Sequence, residues 1–134
     1  MAVAGWIVDK SAAARANVAG IRKELDLLAG SLFICPVGRL EQLYSARSAQ
    51  DYDALDESMS ARLPTVEEPA DIFERALRLQ RDLAHHHGMW HRTPIPDLLI
   101  AEIALHHSLG VVHIDRDFER IAEVRPLTVR RLTF

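Results

Sequence analysis

Short apolar runs alternate with helical patterns of hydrophobic and polar positions along the 134 residues of this chain. The apolar runs predict strands at 5–8, 32–34, 111–114 and 127–132, with a short edge strand at 64–67. Helical spacing and capping residues predict helices at 11–18, 21–29, 36–46, 48–62, 69–87, 96–109 and 117–124. This alternation indicates a three-layer α/β/α fold, in which helices cover both faces of a central, mainly parallel sheet of four to five strands.

Three residues are predicted to begin helices. Ser11 can cap the alanine-rich helix of 11–18 through its hydroxyl. Pro36 suits the first turn of a helix, where its missing N–H costs nothing. Ser48, followed three residues later by Asp51, resembles a capping box.

The helices of 36–46 and 48–62 follow each other almost directly, so we predict a helical hairpin that protrudes from the sheet. Four apolar side chains of this hairpin are expected to form a groove for a segment of a partner protein: Leu43, Tyr52, Leu55 and Met59.

The composition is that of a single domain spanning 1–134, because 49% hydrophobic residues can build a proper core. The formal charge of −3 argues neither for nor against a nucleic-acid partner. Cys35 is the one cysteine, which excludes an intrachain disulfide and suits a reducing cytoplasm. The first residues do not resemble a signal peptide, and no apolar run approaches the roughly 20 residues of a membrane span.

Four carboxylates are predicted to meet at one edge of the sheet. Asp9 and Asp115 each follow a predicted strand, and sites in parallel sheets form beyond the carboxyl ends of the strands. Glu41 lies about two turns into the helix after the second strand. Asp97 begins a helix that must run back from the same edge. Asp9, Asp97 and Asp115 could each be an ordinary cap or turn residue instead, so the prediction rests on the set.

Clustered acids repel one another. At ~4 Å and an effective dielectric of ~20, each like-charge pair costs about 4 kcal/mol. A hard divalent cation with oxygen ligands would offset this repulsion. The sequence therefore predicts a metal-dependent enzyme.

The position of Glu41 on its helix supports this interpretation. It lies on a stripe with three residues that we expect to face inward: Val37, Leu40 and Tyr44. A buried carboxylate needs a ligand or an ion pair. The alternative is a surface ion pair of Glu41 with Arg39 or Arg47.

Four segments of the chain resemble PIN-domain ribonucleases, and most closely the VapC-type toxins of bacterial toxin–antitoxin pairs. The segments are IVDKSA at 7–12, CPVGRLEQLYSARS at 35–48, IPDLLIAEIAL at 95–105 and VVHIDRDFERIA at 111–122. The acidic positions of the family match Asp9, Glu41, Asp97 and Asp115, with Asp117 as a fifth candidate. Lys10 departs from the small residue that many members carry.

The resemblance implies an endoribonuclease that needs Mg²⁺ or Mn²⁺, forms a homodimer and is inhibited by a cognate antitoxin. Asp9, Asp97 and Asp115 would hold the metal, and Glu41 would orient the attacking water or hold a second ion. Asp117 would either bind that second ion or only cap its helix. An arginine of the antitoxin could pair with the acids and displace the metal.

Three residues are candidate substrate contacts. Ser11 matches a hydroxyl position of the family near the metal, although a capping role would explain it equally. Arg92 and Arg116 flank the predicted site and could bind phosphates of RNA, although each could equally be a solvated surface arginine.

Other functions fit less well. The seven histidines show no zinc-ligand spacing, and a phosphoacceptor receiver would need adjacent acids after the first strand and a late lysine. A PIN-fold nuclease of RNA maturation or DNA repair remains an alternative, as does a non-catalytic module that only binds a partner.

Overall fold

The computed structural model describes residues 3–114 and 116–132. Within these ranges the sheet has four strands: β1 (Trp6–Val8), β2 (Leu32–Phe33), β3 (Gly110–His113) and β4 (Val129–Arg131). All neighbouring strands are parallel, in the order β2-β1-β3-β4. The parallel sheet expected from the alternating pattern is therefore confirmed.

The described ranges contain seven α-helices and one 3-10 turn. In chain order they are α1 (Lys10–Ala13), α2 (Ala19–Leu27), α3 (Pro36–Tyr44), α4 (Ala49–Arg62), α5 (Ile72–His85), the 3-10 turn (Met89–Arg92), α6 (Ile95–His106) and α7 (Asp117–Ala122). None of the helices in residues 3–114 and 116–132 is long and apolar enough to cross a membrane.

Helices cover both faces of the sheet. Successive strand residues point to opposite faces, so Ile7 and Val111 pack against buried side chains of α5, α6 and α7. Val8 and Val112, the next residues along β1 and β3, pack against buried side chains of α1 and α2. The strands are apolar on both sides for this reason, and the predicted three-layer arrangement is confirmed.

The first helix differs from its prediction. Asp9, not Ser11, is its cap, because the Asp9 carboxylate accepts a hydrogen bond from the Ser11 amide at 3.2 Å. The helix ends at Ala13 instead of extending to Val18. Beyond it the backbone continues in tighter turns, for example from the Val18 amide to the Arg15 carbonyl at 2.9 Å.

The predicted edge strand at 64–67 is reduced to one parallel bridge between Ile34 and Thr65. The Ile34 amide donates to the Pro64 carbonyl at 3.0 Å, and the Val66 amide donates to the Ile34 carbonyl at 2.8 Å. Pro64 has no N–H to extend this ladder, which limits the pairing.

The hairpin of α3 and α4 is present, and the Ser48 hydroxyl caps α4 by accepting from the Asp51 amide at 3.0 Å. The predicted groove on this hairpin is wrong in its position. Leu43 and Met59 are buried and pack with Ile34. Met59, together with Leu55, also borders a cavity on the side of α2. Burial against each other is the more stable arrangement for two facing apolar side chains.

A buried ion pair connects α6 with the segment after α7. The Glu102 carboxylate lies 3.3 Å from Arg125 Nε, and the same guanidinium lies 2.7 Å from the exposed Asp82 carboxylate on α5. Glu102 is only 6% exposed, and burial raises its pKa above the ordinary value of 4.5, against the opposing effect of Arg125. Arg125 is therefore the cation that makes an ionised Glu102 tolerable in the core.

Replacing Arg125 with methionine should lower the free energy of unfolding by about 3 kcal/mol at pH 7, because it leaves a buried carboxylate without its cation. The native state of the variant then favours the protonated form of Glu102 more strongly than the native wild type does. The deficit should consequently shrink as the pH falls below 7, because Glu102 takes up a proton above its ordinary pKa of 4.5.

Urea unfolding at several pH values measures this dependence. The double variant Arg125→Met with Glu102→Gln serves as the control and should recover most of the loss at pH 7. A deficit of equal size at pH 5 and pH 7 would contradict the assignment to Glu102.

Candidate functional site

Three carboxylates from distant parts of the chain converge at the carboxyl edge of the sheet. Asp9, Glu41 and Asp97 each contribute an oxygen, and these oxygens all lie within 4.8 Å of one another. Asp9 directly follows β1, Asp97 lies in the first turn of α6, and Glu41 lies in α3. Asp9 and Asp97 are 2% and 5% exposed, and the Glu41 side chain is 13% exposed. The structure thus brings together three of the four predicted acids.

These carboxylates suit a hard divalent cation. Mg²⁺ binds oxygen ligands at about 2.1 Å, so ligands on opposite sides of the ion are about 4.2 Å apart. The observed spread of up to 4.8 Å needs only a small closure or an intervening water. Within residues 3–114 and 116–132 this is the one cluster of three or more candidate ligands, and it contains neither histidine nor cysteine. The donor set therefore favours Mg²⁺ or Mn²⁺ over zinc.

A short hydrogen-bond relay fixes Asp9. The Ile114 amide donates to the Ser11 hydroxyl at 3.0 Å, and that hydroxyl donates to Asp9 Oδ2 at 2.7 Å. The Asp9 amide itself donates to the Val112 carbonyl at 2.9 Å. Both central strands therefore hold the carboxylate in one orientation, and Ser11 is used within the protein to do so.

The stripe that was expected to face inward on α3 does not do so. Leu40 and Tyr44 are 68% and 92% exposed, whereas Gly38 and Leu43 are the buried residues of this helix. Leu43 packs against Met59 of α4, so the buried face of α3 is centred on Leu43 and not on the predicted stripe. Glu41 still reaches the site, but from the border between the buried and the exposed faces.

Glu41 has an ion-pair partner that the sequence analysis missed. Lys10 Nζ lies 3.3 Å from Glu41 Oε2, and this carboxylate raises the pKa of Lys10. The alternative pairing with Arg39 is wrong, because Arg39 donates to the Asp56 carboxylate and to the Ser60 hydroxyl on α4. Nothing local to Lys10 indicates a partner on α3, so the tertiary fold was needed to find it.

Two further acids, Asp115 and Asp117, are predicted to belong to the site. Asp115 lies outside the described residues, directly after Ile114 at the end of β3. Asp117 begins α7, and its carboxylate accepts from Arg120 at 2.7 Å. Asp117 does not belong to the cluster of three found among the described residues.

The candidate substrate residues Arg92 and Arg116 are both exposed. Arg92 ends the 3-10 turn that leads into α6, and Arg116 precedes α7. Arg120 joins the two segments, because its guanidinium donates to the Arg92 carbonyl at 3.1 Å as well as to Asp117. Their contact with a substrate stays a prediction.

Two cavities lie on this side of the molecule, and Glu41 borders the first of them. The first, of about 370 Å³, is bordered by Lys10, Ser11, Arg15 and Glu41. The second, of about 410 Å³, runs between α2 and α4 and is mainly apolar, with Leu25, Leu32, Leu55, Met59 and Leu63 among its walls. Three residues border both cavities: Ala13, Gln42 and Leu55. The apolar groove therefore adjoins the cavity that Glu41 borders.

Comparison with known proteins places this geometry in context. A family model described as PIN domain matches residues 6–124. Ribonuclease VapC17 from Mycobacterium tuberculosis is 58% identical over 121 residues, which cover 90% of each chain.

Solved structures share the fold. The DNA-bound VapBC structure from Salmonella typhimurium matches with a TM-score of 0.77 at 20% identity, over 95% of this chain and 97% of that one. VapBC-5 from Mycobacterium tuberculosis, a member of the VapBC family of toxin–antitoxin systems, matches with a TM-score of 0.70 at 22% identity, over 96% and 99% of the two chains.

Proposed function

Because this chain belongs to the PIN domain family, we propose that it is a divalent-metal-dependent endoribonuclease and the toxin of a toxin–antitoxin pair. The convergence of Asp9, Glu41 and Asp97 within 4.8 Å is the observation that carries this proposal. The name of its relative, a VapC ribonuclease with 58% identity, supports RNA as the substrate.

Each acid has a proposed role. Asp9 and Asp97, which are buried, hold the metal together with Asp115, and Glu41 holds a second ion or orients the water. Asp117 is a further candidate ligand at the start of α7. When bound, the ion supplies an activated water and offsets the charge of the phosphodiester. The relay through Ser11 keeps the Asp9 carboxylate aimed at the site without a change of rotamer.

Arg92 and Arg116 are proposed to bind the RNA backbone. Both are exposed, and each lies on a segment that adjoins one of the proposed metal ligands. Guanidinium groups form bidentate contacts with phosphate, which would position the strand across the acids without reading its sequence.

Purified protein, freed from any bound partner, tests the activity. Incubation with RNA should generate defined cuts with Mg²⁺ or Mn²⁺ and none with EDTA, and sequencing of the RNA ends should identify the sites. The Asp9→Asn variant is the control, because asparagine keeps the helix cap and a contaminating nuclease would still cut. An RNA pool left intact under all metal conditions would favour a binding module without catalysis.

An antitoxin is the proposed regulatory partner. The groove between α2 and α4 is mainly apolar and adjoins the cavity bordered by Glu41, so one extended segment could occupy both. An arginine of that segment would pair with the clustered acids. We place this pair in the cytoplasm, where the RNA is. Expression of the chain alone should arrest growth, and co-expression of a small adjacent-gene product should restore it; harmless expression alone would count against the proposal.

A homodimer is proposed from exposed apolar side chains on α3 and α5. Four large apolar side chains are at least 65% exposed on these helices: Leu40, Tyr44, Phe73 and Leu77. Exposed apolar side chains of this kind favour a protein interface. The partner that we propose for them is a second copy of the chain.

The variant Leu40→Glu should convert a dimer into a 15.1 kDa monomer, because a charge placed in the apolar contact would be buried there. Size-exclusion chromatography with light scattering measures the mass. Leu27→Glu is the matched control, since Leu27 is 72% exposed on α2, and it should leave the mass unchanged. A monomeric wild-type chain would refute the dimer.

A further inference from the structure

Lys10 holds an unusual position beside the acidic cluster. Its ammonium lies 3.3 Å from Glu41 Oε2, and its side chain is 57% exposed. The residue before it, Asp9, is another member of the cluster. One compact cation of the chain itself is therefore already bound to a carboxylate that the proposed function assigns to the metal.

A lysine can occupy such a place reversibly. Its charge is concentrated on a small ammonium group at the end of a flexible four-carbon chain, and here much of that chain is in contact with solvent. Leaving Glu41 would expose the ammonium to water without opening the core. A divalent cation bound to the same carboxylate would repel the ammonium, so the two cations compete for Glu41.

We propose that Lys10 is an internal counter-ion that holds Glu41 in the metal-free protein and leaves it when a divalent ion binds. Lys10 thus stabilises the metal-free site and weakens metal binding. A higher metal concentration is therefore needed to fill the site than would be needed without Lys10. Lys10 is a positioning residue here, because it acts through Glu41. The inference rests on the proposed metal site of the preceding section.

The geometry explains why the acids need a cation from the protein itself when no metal is bound. Three carboxylate oxygens within 4.8 Å of one another repel strongly, and two of these residues are at most 5% exposed. Arg15 borders the same cavity as Lys10 and Glu41, and its guanidinium donates to the Ser11 carbonyl at 3.2 Å. Lys10 and Arg15 therefore carry equal charge near the site, and the Lys10 ammonium is held by Glu41 Oε2 at 3.3 Å.

Binding of Mn²⁺ to the full, metal-free chain tests the proposal by calorimetry, without RNA. Lys10→Met should bind Mn²⁺ about fivefold more tightly than the wild type, as expected for loss of a partly exposed ion pair. Its melting temperature without metal should fall, and its rise on adding Mn²⁺ should be larger. Lys10→Arg should behave like the wild type. Lys10→Gln is a second neutral variant and should repeat the result of Lys10→Met.

Arg15→Gln is the matched control and should change the affinity less than twofold, because it removes the same charge without releasing Glu41. Equal tightening in Arg15→Gln and Lys10→Met would assign the effect to the overall field and overturn the proposal. Unchanged or weaker binding in both Lys10→Met and Lys10→Gln would also overturn it. If the wild-type chain still cleaves RNA with Mn²⁺ in that case, only the role of Lys10 fails and the proposed function stands.

Discussion

Replacing Asp97 with asparagine is expected to reduce the rate of RNA cleavage by about a hundredfold to a thousandfold. This is the usual loss when one preorganised electrostatic group is removed from a reacting centre. The same change should stabilise the metal-free protein by about 1–3 kcal/mol. Asp97 is 5% exposed and its carboxylate oxygen lies within 4.8 Å of those of Asp9 and Glu41, so the neutral amide removes two repulsive pairs. A gain in stability with a loss of activity is typical of residues selected for chemistry.

Cleavage rates with Mg²⁺ and melting temperatures with EDTA measure the two effects. Glu74→Gln is the matched control, because Glu74 lies in the first turn of α5 as Asp97 does in α6, but it is exposed and lies outside the cluster. This control should leave both quantities almost unchanged. Asp97→Asn protein that cleaved RNA at the wild-type rate would remove Asp97 from the metal site.

Replacing Gly110 with alanine is expected to lower the free energy of unfolding by about 3 kcal/mol through overpacking. A Cβ at this position would lie 2.6 Å from ring atoms of Trp6 and 2.8 Å from the Thr128 carbonyl oxygen. Trp6 is the partner of Gly110 in the ladder of β1 and β3, and Thr128 directly precedes β4. The ring could rotate, but the carbonyl can move only if the backbone between the strands separates.

Gly38→Ala is the control, because Gly38 lies inside α3 and a Cβ there would be 3.7 Å from Cys35 Sγ and 3.8 Å from the Ile34 side chain, which are ordinary contacts. It should stabilise the protein by about 0.5–1 kcal/mol, since alanine favours the helix. Urea unfolding measures both variants, with equal m-values if only stability changes. A tolerated Gly110→Ala would show that β4 adjusts more easily than its position in the parallel sheet suggests.

The acidic site could be predicted because the residues next to each acid in the sequence indicate where that acid lies in the fold. Asp9 follows an apolar strand and Asp97 begins an apolar helix, and in a parallel sheet both features point to the same edge. The placement of Glu41 was correct for a partly wrong reason, because its helix does not bury Leu40 and Tyr44. The family resemblance, carried by four segments, is confirmed by the match to the PIN domain.

The missed features depend on which elements become neighbours. A hydrophobic stripe on α3 shows that an apolar surface exists, but not whether this chain or another one covers it. The groove for a partner was misplaced in the same way, since Met59 of α4 packs inward against Leu43 of α3. The contact of Lys10 with Glu41 joins residues far apart in the sequence, and no periodic pattern encodes such a pair.

The order of the strands has a consequence for synthesis. β1, which leads to Asp9, pairs with β3, and β3 follows α6 near the end of the chain. A nascent chain on the ribosome therefore carries Asp9 and Glu41 long before Asp97 and the supporting strand emerge. The three-acid cluster therefore cannot assemble until the chain has left the exit tunnel as far as β3.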